Sequence, residues 1–243
     1  VMDNGSPSLS DTANIYINII PVNDVPTSSS IVLNMNRLTF TAADLSFDDI
    51  EDDNSELEII FVPSTGDPIF QTIYKGTVTE SSGSYIYQEG YIDTDIDFIF
   101  YKVRDSISES SLSLITFNLS GGGRLARSQA REIPVVVSDS IMIMEDTPVS
   151  LSFIGAEIDT SLSIDNSAVI TLVEPAHHGT LDDFGFSELD GRLIIWTGTY
   201  TPNENYSGLD SIGYMLHNPL NGNTNSNNAA GYSEMGYLYL DIS

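Results

Sequence analysis

Carboxylates are the side chains of this 243-residue chain that could do chemistry. Seven of them lie within thirteen consecutive residues, at Asp44, Asp48, Asp49, Glu51, Asp52, Asp53 and Glu56. Like charges held this close repel one another unless a cation neutralises them. Hard oxygen ligands at flexible spacing favour calcium over zinc or a redox metal. The cluster therefore predicts a calcium site, and the alternative is a solvated acidic surface, as in a halophilic or marine protein.

A second set of carboxylates follows strand periodicity. Asp93, Asp95 and Asp97 alternate along a β-patterned run, so their side chains would share one face of a strand. The spacing fits no EF-hand, because no D-x-[DN]-x-[DN]-G loop ends in a Glu at its twelfth position. Any calcium site would therefore be assembled from separate segments of the chain.

Catalytic motifs are absent from the sequence. Only three histidines are present, and the adjacent pair His177-His178 belongs to no H-E-x-x-H motif. Neighbouring residues of a strand point to opposite faces, so the two imidazoles would not share a site. There is no G-x-S-x-G nucleophile elbow and no phosphate-binding glycine motif. We therefore predict that the protein is not an enzyme.

The charge balance limits the partners. The chain has 35 acidic and 8 basic residues, a net charge of −27, and no cysteine. Such a chain repels nucleic acid and anionic membranes and gathers cations. No apolar run approaches the roughly 20 residues of a membrane helix, and no signal peptide opens the sequence. If the protein is secreted, we expect its targeting and anchoring segments to lie outside this sequence.

Short β-patterned runs would position the carboxylates. Gly, Ser, Asp or Pro separates each run from the next, which is typical of antiparallel sandwiches. The first runs are Leu38–Thr41, Leu57–Val62, Ile69–Tyr74, Ser84–Tyr87, Asp97–Val103 and Leu112–Leu119, with one helical turn at Ala42–Leu45. The later runs are Val135–Val137, Ile141–Met144, Val149–Ile154, Val169–Val173, Leu193–Trp196, Asp210–Leu216 and Tyr237–Ile242. The predicted fold class is all-β, with tandem immunoglobulin-like antiparallel β-sandwiches.

Three local patterns carry further predictions. The apolar phase of one run switches between Leu114 and Ile115, which predicts a β-bulge. The Asn-rich segment Asn218–Asn228 is predicted to be a surface loop, and the single tryptophan, Trp196, a core residue.

A recurring hairpin pattern sets the domain boundaries. Aligning Val1, Val103 and Leu216 gives spacings of 102 and 113 residues, close to the length of one sandwich. We predict that residues 1–25 are the final hairpin of a preceding repeat plus a joint. Residues 26–120 form the first β-sandwich, 121–133 a linker, and 134–243 the second β-sandwich. Hairpin 1–25 would pack on a further stretch of the same chain or on another copy.

The linker is rich in glycine and arginine. Arg124, Arg127 and Arg131 are three of the eight basic residues of the chain. These arginines would be solvated, or would pair with acidic surface on a neighbouring domain or protomer through bidentate contacts. A processing site for a trypsin-like protease is a third alternative.

The joint Pro21-Val22-Asn23-Asp24-Val25-Pro26 resembles the "VNDxP" joint of cadherin-like tandem repeats in large bacterial surface proteins. Its two prolines would hold the chain extended on both sides of a carboxylate. Glu145-Asp146-Thr147, Pro175–Leu181 and Tyr200–Tyr214 resemble three further landmarks of that family, with Ile212 in place of the usual aromatic residue. Phe40–Asp49 and Asp97–Asp105 look like the chondroitin-sulfate-proteoglycan type of cadherin-like repeat, and this middle region lacks the "EDT" and "G-T-L" landmarks.

The resemblance implies a cadherin-like structural stalk segment of a giant extracellular adhesin, rigidified by calcium at acidic joints and bound to neighbouring repeats of the same protein. The candidate calcium ligands then include Asp24, Asp105, Glu145, Asp146, Asp159 and Asp210. One alternative is a subunit of an extracellular filament assembled by strand exchange, and a weaker one is a carbohydrate- or protein-binding module. Asn4, Asn118 and Asn205 are glycosylation sequons that matter only in a eukaryotic or archaeal source.

Overall fold

The computed structural model describes residues 4–7, 14, 16, 23–34, 39–62, 69–90, 96–119, 133–159, 162, 164–190, 193–224 and 229–243. Regular structure in these ranges is β-strand, apart from a 3₁₀ helix at Ala42–Asp44. This helix confirms the turn predicted at Ala42–Leu45. No helix in the described ranges is long and apolar enough to cross a membrane.

The first sandwich packs two four-stranded sheets around an aromatic core. Its strands are β1 (Thr27–Ser29), β2 (Ile31–Asn34), β3 (Thr39–Phe40), β4 (Ser46–Asp48), β5 (Glu58–Val62), β6 (Ile69–Gln71), β7 (Thr77–Ser81), β8 (Ser84–Gln88), β9 (Ile96–Arg104) and β10 (Ser113–Asn118). The sheet orders are β2-β10-β9-β5 and β3-β8-β7-β6, and β1 pairs with β4. Between the two sheets, Phe61, Tyr87 and Phe117 are fully buried.

The second sandwich has the same two-layer plan. Its strands are β11 (Val135–Val136), β12 (Asp139–Ile143), β13 (Val149–Ala156), β14 (Val169–Glu174), β15 (Gly179–Asp190), β16 (Leu193–Pro202), β17 (Gly208–His217) and β18 (Gly236–Ile242). The sheet orders are β11-β13-β16-β15 and β12-β18-β17-β14. Leu151 and Phe153 point into the core, and Trp196 packs against it, as predicted.

One topology is used twice. β2 runs parallel to β10, as β12 does to β18, whereas the neighbouring pairs of these sheets are antiparallel. A Tyr–Asp–Tyr series also recurs at identical spacing, as Tyr87, Asp97 and Tyr101 and, 113 positions later, as Tyr200, Asp210 and Tyr214. This offset is the one predicted from Val103 and Leu216. The chain is all-β, with tandem immunoglobulin/cadherin-like sandwiches.

The two sandwiches pack face to face. On β9, the side chains of Ile99 and Val103 enter the core of the first sandwich, whereas those of Phe98 and Phe100 contact the second. The buried residues facing them from the second sandwich are Val137, Ile154, Ala156, Ile158 and Leu193. We call this apolar contact the interdomain seam. It covers the outer face of a sheet that would otherwise expose two phenylalanines.

The β-bulge predicted between Leu114 and Ile115 is wrong. β10 pairs with β9 in unbroken register from Ser113 to Asn118. Ile115 enters the core of the first sandwich, whereas Leu114 packs on the interdomain seam. The apolar phase switches because both faces of the strand are buried, and no extra residue is inserted.

Two other expectations change in the second sandwich. The described part of the Asn-rich loop is only partly a surface loop, because Asn218 and Asn221 are almost fully buried whereas Leu220 is exposed. The long strand β15 was not predicted. Its pairing with β16 shifts register twice, which breaks the alternation that would reveal a strand.

Candidate functional site

The predicted joint at Asp24 contacts two acidic loops of the first sandwich. Asn23 Nδ2 donates to Asp105 Oδ2 at 3.0 Å and to Ser108 Oγ at 3.2 Å. The backbone N–H of Asp24 donates to Glu51 Oε2 at 3.2 Å. One loop follows β4 and the other follows β9, so the joint bridges them. We call Asp24, Asp49, Glu51, Asp52 and Asp105 the acidic joint.

Asp49 organises the loop that follows β4. Its Oδ1 accepts the backbone N–H groups of Glu51 at 2.9 Å and Asp52 at 3.0 Å, as in an Asx turn. Its Oδ2 is buried and has no hydrogen-bond partner among the described residues. A buried carboxylate oxygen without a partner is costly, and a bound cation would remove that cost.

Like charges crowd this loop. Desolvation, followed by the charges of Asp49 and Glu56, raises the pKa of Asp52. The pKa of Glu51 is also raised, because desolvation and the charge of Asp24 outweigh the lowering effect of the Asp24 N–H. Repulsion between neighbouring carboxylates therefore contributes to both shifts.

Asp105 is a fixed anion at the same joint. Its Oδ1 accepts the N–H groups of Ile107 and Ser108, each at 2.5 Å. Although desolvation acts to raise it, these hydrogen bonds and that of Asn23 lower the pKa of Asp105. Within the described ranges, no three acidic or histidine side chains converge closely enough to form a ready-made metal site.

Other predicted ligands lie outside this joint or make different contacts. Asp44 caps the 3₁₀ helix, accepting the Thr41 N–H at 2.8 Å. Asp48 lies exposed in β4, and the Asp53 N–H donates to Glu56 Oε2 at 3.3 Å. The predicted sites that fall outside the described residues are Asp93, Asp95, Arg124, Arg127, Arg131 and most of residues 1–25.

The predicted pair Glu145 and Asp146 ties two loops of the second sandwich together. Asp146 Oδ1 accepts the N–H of Asn205 at 2.8 Å, and the Glu145 N–H donates to the carbonyl of Ser243 at 2.9 Å. Of the sequon residues, Asn4 is exposed and Asn118 Nδ2 donates to Asn34 Oδ1 at 2.9 Å.

Asp97 and Asp210 are equivalent anchors, each accepting four hydrogen bonds. Asp97 accepts from Thr72 Oγ1 at 2.5 Å, Tyr74 N at 2.9 Å, Tyr87 OH at 2.9 Å and Phe98 N at 2.7 Å. Asp210 accepts from His177 N at 3.0 Å, His178 N at 2.8 Å, Tyr200 OH at 2.9 Å and Ser211 N at 2.8 Å. Each carboxylate therefore fastens a turn to a strand of the opposite sheet. The histidine pair contributes its backbone here.

The two anchors differ in the direction of their pKa shift, and a glycine packs closely beside each of them. Desolvation raises the pKa of Asp97, whereas hydrogen bonds outweigh desolvation and lower the pKa of Asp210. A Cβ on Gly76 would lie 2.7 Å from Asp97 Oδ2, and one on Gly179 would lie 2.4 Å from the Tyr200 ring. Gly76-Thr77-Val78 is therefore the counterpart of Gly179-Thr180-Leu181, which the sequence comparison missed.

Glu157 is a fully buried carboxylate that the sequence analysis also missed. Its oxygens accept from Asn218 Nδ2 at 2.6 Å, from Asn221 Nδ2 at 3.0 and 3.1 Å, and from the Asp159 N–H at 2.8 Å. Burial, with a smaller contribution from the charge of Asp159, raises the pKa of Glu157. The predicted ligand Asp159 lies beside it and accepts from Asn223 Nδ2 at 3.1 Å.

A charge-balanced cluster crosses the interdomain seam. Lys102 Nζ lies 2.6 Å from Glu109 Oε2 and 3.0 Å from Asp139 Oδ1, and it donates to the Ser140 carbonyl. Arg104 Nε donates to Glu109 Oε1 at 2.7 Å. Two cations thus face two buried anions, Arg104 also lies 3.6 Å from the exposed Glu58, and Lys102 joins the first sandwich to β12 of the second.

Comparisons with solved structures return proteins of low sequence identity to this chain. An endo-fucoidan hydrolase of glycoside hydrolase family 107 is 14% identical, with 97% of this chain and 31% of that chain covered and a TM-score of 0.30. Protocadherin gamma B2 extracellular cadherin domains 3–6 are 15% identical, with 100% and 57% covered and a TM-score of 0.30. The D00-D0 domain of intimin is 11% identical, with 88% and 98% covered and a TM-score of 0.24. The chain spans about a third of the length of the hydrolase.

No curated protein matches the chain significantly in sequence. Residues 131–229 match the family model described as "Bacterial Ig domain". This range contains β11 to β17 and the Asp210 anchor. Most of the second sandwich is therefore similar to a bacterial Ig domain, and the first sandwich repeats its topology.

Proposed function

We propose that this chain is a structural, non-catalytic segment of an extracellular surface protein, in which two Ig-like sandwiches hold a fixed orientation. The observation that carries the proposal is the interdomain seam. Burying the side chains of Phe98 and Phe100 stabilises the contact by about 1.5–3 kcal/mol each. A rigid pair of sandwiches suits a stalk, whose task is to hold other parts of a protein at a distance.

We further propose that calcium stiffens the acidic joint. The ligands would be drawn from the carboxylates of Asp24, Asp49, Glu51, Asp52 and Asp105, the hard donors that calcium prefers. These carboxylates do not converge on one point in the structure, so the ion would have to draw them together. The unpartnered Asp49 Oδ2 and the raised pKa of Asp52 support a missing positive charge. Calcium would offset the repulsion between the two loops and hold Asn23 and Asp24 against them. Extracellular modules bind calcium at about 10⁻⁴–10⁻³ M.

Thermal unfolding with millimolar calcium and with EGTA tests this proposal. At a calcium concentration about ten times Kd, binding adds about 1.4 kcal/mol, which raises Tm by about 3–5 °C for a chain of this size. Asp49→Asn keeps the acceptor of the Asx turn but removes the charge, so it should abolish the calcium shift. The exposed Asp182→Asn in the second sandwich is the matched control and should retain it.

Two results would contradict the calcium proposal. One is an identical Tm in calcium and EGTA for the unaltered chain. The other is a calcium shift that survives Asp49→Asn at full size, since the ion would then bind elsewhere. The rigid-pair proposal fails separately, if small-angle scattering shows the two sandwiches moving independently.

A further inference from the structure

We infer that the joint between the two sandwiches is closed by a metal-free clamp, in which asparagine amides occupy the place of the ion proposed for the acidic joint. The inference goes beyond the proposed function and starts from the internal repeat. Asp105 is the first residue after β9, and Asn218, 113 positions later, is the first residue after β17. Likewise, Asp49 is the first residue after β4, and Glu157 the first after β13.

The side chains at these equivalent positions make different hydrogen bonds. Asn218 Oδ1 accepts the Leu220 N–H at 3.1 Å, and Asn221 Oδ1 accepts the Asn223 N–H at 2.8 Å. An amide whose oxygen is held by a backbone donor must turn its NH₂ group the other way. Both NH₂ groups therefore face the carboxylate of Glu157.

This arrangement does not fit calcium. A calcium site needs oxygen atoms pointing inward, whereas Asn218 and Asn221 direct N–H donors at the carboxylate. Hydrogen bonds to a charged acceptor are stronger than neutral ones, so the amides stabilise the buried anion without a cation. None of the ion pairs among the described residues includes Glu157.

The clamp lies within the second sandwich and contacts the first sandwich at the seam. Tyr74 OH of the first sandwich donates to the backbone carbonyl of Glu157 at 3.3 Å. Elsewhere at the seam, Lys102 of the first sandwich forms an ion pair with Asp139 of the second. The described contacts of this joint therefore consist of apolar surface and of carboxylates that already have amide or lysine partners, so the orientation of the sandwiches should not depend on calcium.

Spin-label distances test the inference on the full chain. The sequence has no cysteine, so Ser81→Cys and Thr171→Cys place one label on an exposed site of each sandwich. Double electron–electron resonance should give the same distance distribution in millimolar calcium and in EGTA. A distribution that broadens or shifts in EGTA would overturn the inference. This readout is independent of whether calcium binds at the acidic joint.

A substitution at Asn218 tests the hydrogen bonds to Glu157. Asn218→Asp gives the second sandwich the residue found at the equivalent Asp105, and it replaces a donor to Glu157 by a second anion. Tm should fall by about 10 °C in calcium and in EGTA alike. Restoration of the original Tm by calcium would mean that the site accepts the ion, contrary to the inference. If the variant fails to fold, the label distances of the parent chain still decide.

Discussion

Lys102→Met should destabilise the protein by about 3–5 kcal/mol, the cost of breaking a buried ion pair by removing one partner. Methionine keeps much of the side-chain volume but removes the ammonium group that faces Glu109 and Asp139. Those carboxylates are only 3% and 5% exposed, so neither recovers its hydration. Arg104 still pairs with Glu109, which leaves Asp139 as the group without a cation.

We expect the destabilisation by Lys102→Met to fall in the lower half of that range. Burial raises the pKa of Asp139 even with Lys102 beside it, so the carboxylate can take up a proton when the lysine is lost. For the same reason, adding Asp139→Asn to Lys102→Met should recover part of the loss, because an amide carries no charge to bury. The two costs should therefore be less than additive. Lys75→Met is the control, since it makes the same charge change and Lys75 forms no ion pair among the described residues.

Urea denaturation followed by two probes provides the measurement. Trp196 fluorescence reports on the second sandwich, and far-ultraviolet circular dichroism reports on both. In the unaltered chain, the two probes should give one coincident transition, because the seam couples the sandwiches. A loss below about 1 kcal/mol for Lys102→Met, no larger than for Lys75→Met, would place Lys102 with ordinary surface ion pairs and refute the reasoning.

Two further outcomes concern the anchors. Asp210→Asn should cost more stability at neutral pH than Asp97→Asn, because folding favours the ionised form of Asp210 and disfavours that of Asp97. The stability that Asp210 contributes is present above its unfolded pKa of about 3.9 and is lost as pH falls through its lower folded pKa, so Asp210→Asn should flatten the acid limb of a Tm-against-pH curve. Gly179→Ala should lower stability by about 1–3 kcal/mol through overlap with the Tyr200 ring. Gly185→Ala, on the same strand with nothing within 4 Å of its Cβ, should be nearly neutral in urea denaturation.

Strand periodicity predicted the architecture because a sandwich is specified by local alternation and turn residues. The same rule failed on β10, where Ile115 is buried in the core and Leu114 is partly buried against a different surface, the interdomain seam. The unbroken apolar run of β9, from Phe98 to Tyr101, carried a signal that both faces are covered. Sequence alone could not say that the second sandwich covers the outer face, because that depends on side chains distant in the chain, from Val137 to Leu193.

Candidate site residues were predicted where charged residues are clustered in the sequence, and they were missed where the interacting residues are far apart in the chain. The acidic loop was visible because Asp49, Glu51 and Asp52 are neighbours in the chain. Glu157 was missed because its amide partners follow 61 and 64 residues later and carry no charge. Asp210 was predicted as a metal ligand from its type and motif, and its described contacts are hydrogen bonds from a distant turn, from Tyr200 and from the neighbouring Ser211.

The difference between Asp105 and Asn218 has a mechanical consequence. At the first position a carboxylate adds to a crowd of anions, so the contact between the joint and the sandwich weakens whenever the counter-charge is removed. At the second position, the Asn218 amide donates a hydrogen bond to the Glu157 carboxylate. The negative charge is therefore stabilised without a cation, and we expect this contact to be insensitive to calcium. If calcium is withdrawn, flexing should therefore be confined to the acidic joint while the two sandwiches continue to move as one body. If both proposals hold, the rigid unit of this protein is a pair of domains, and a response to calcium would come from the acidic joint.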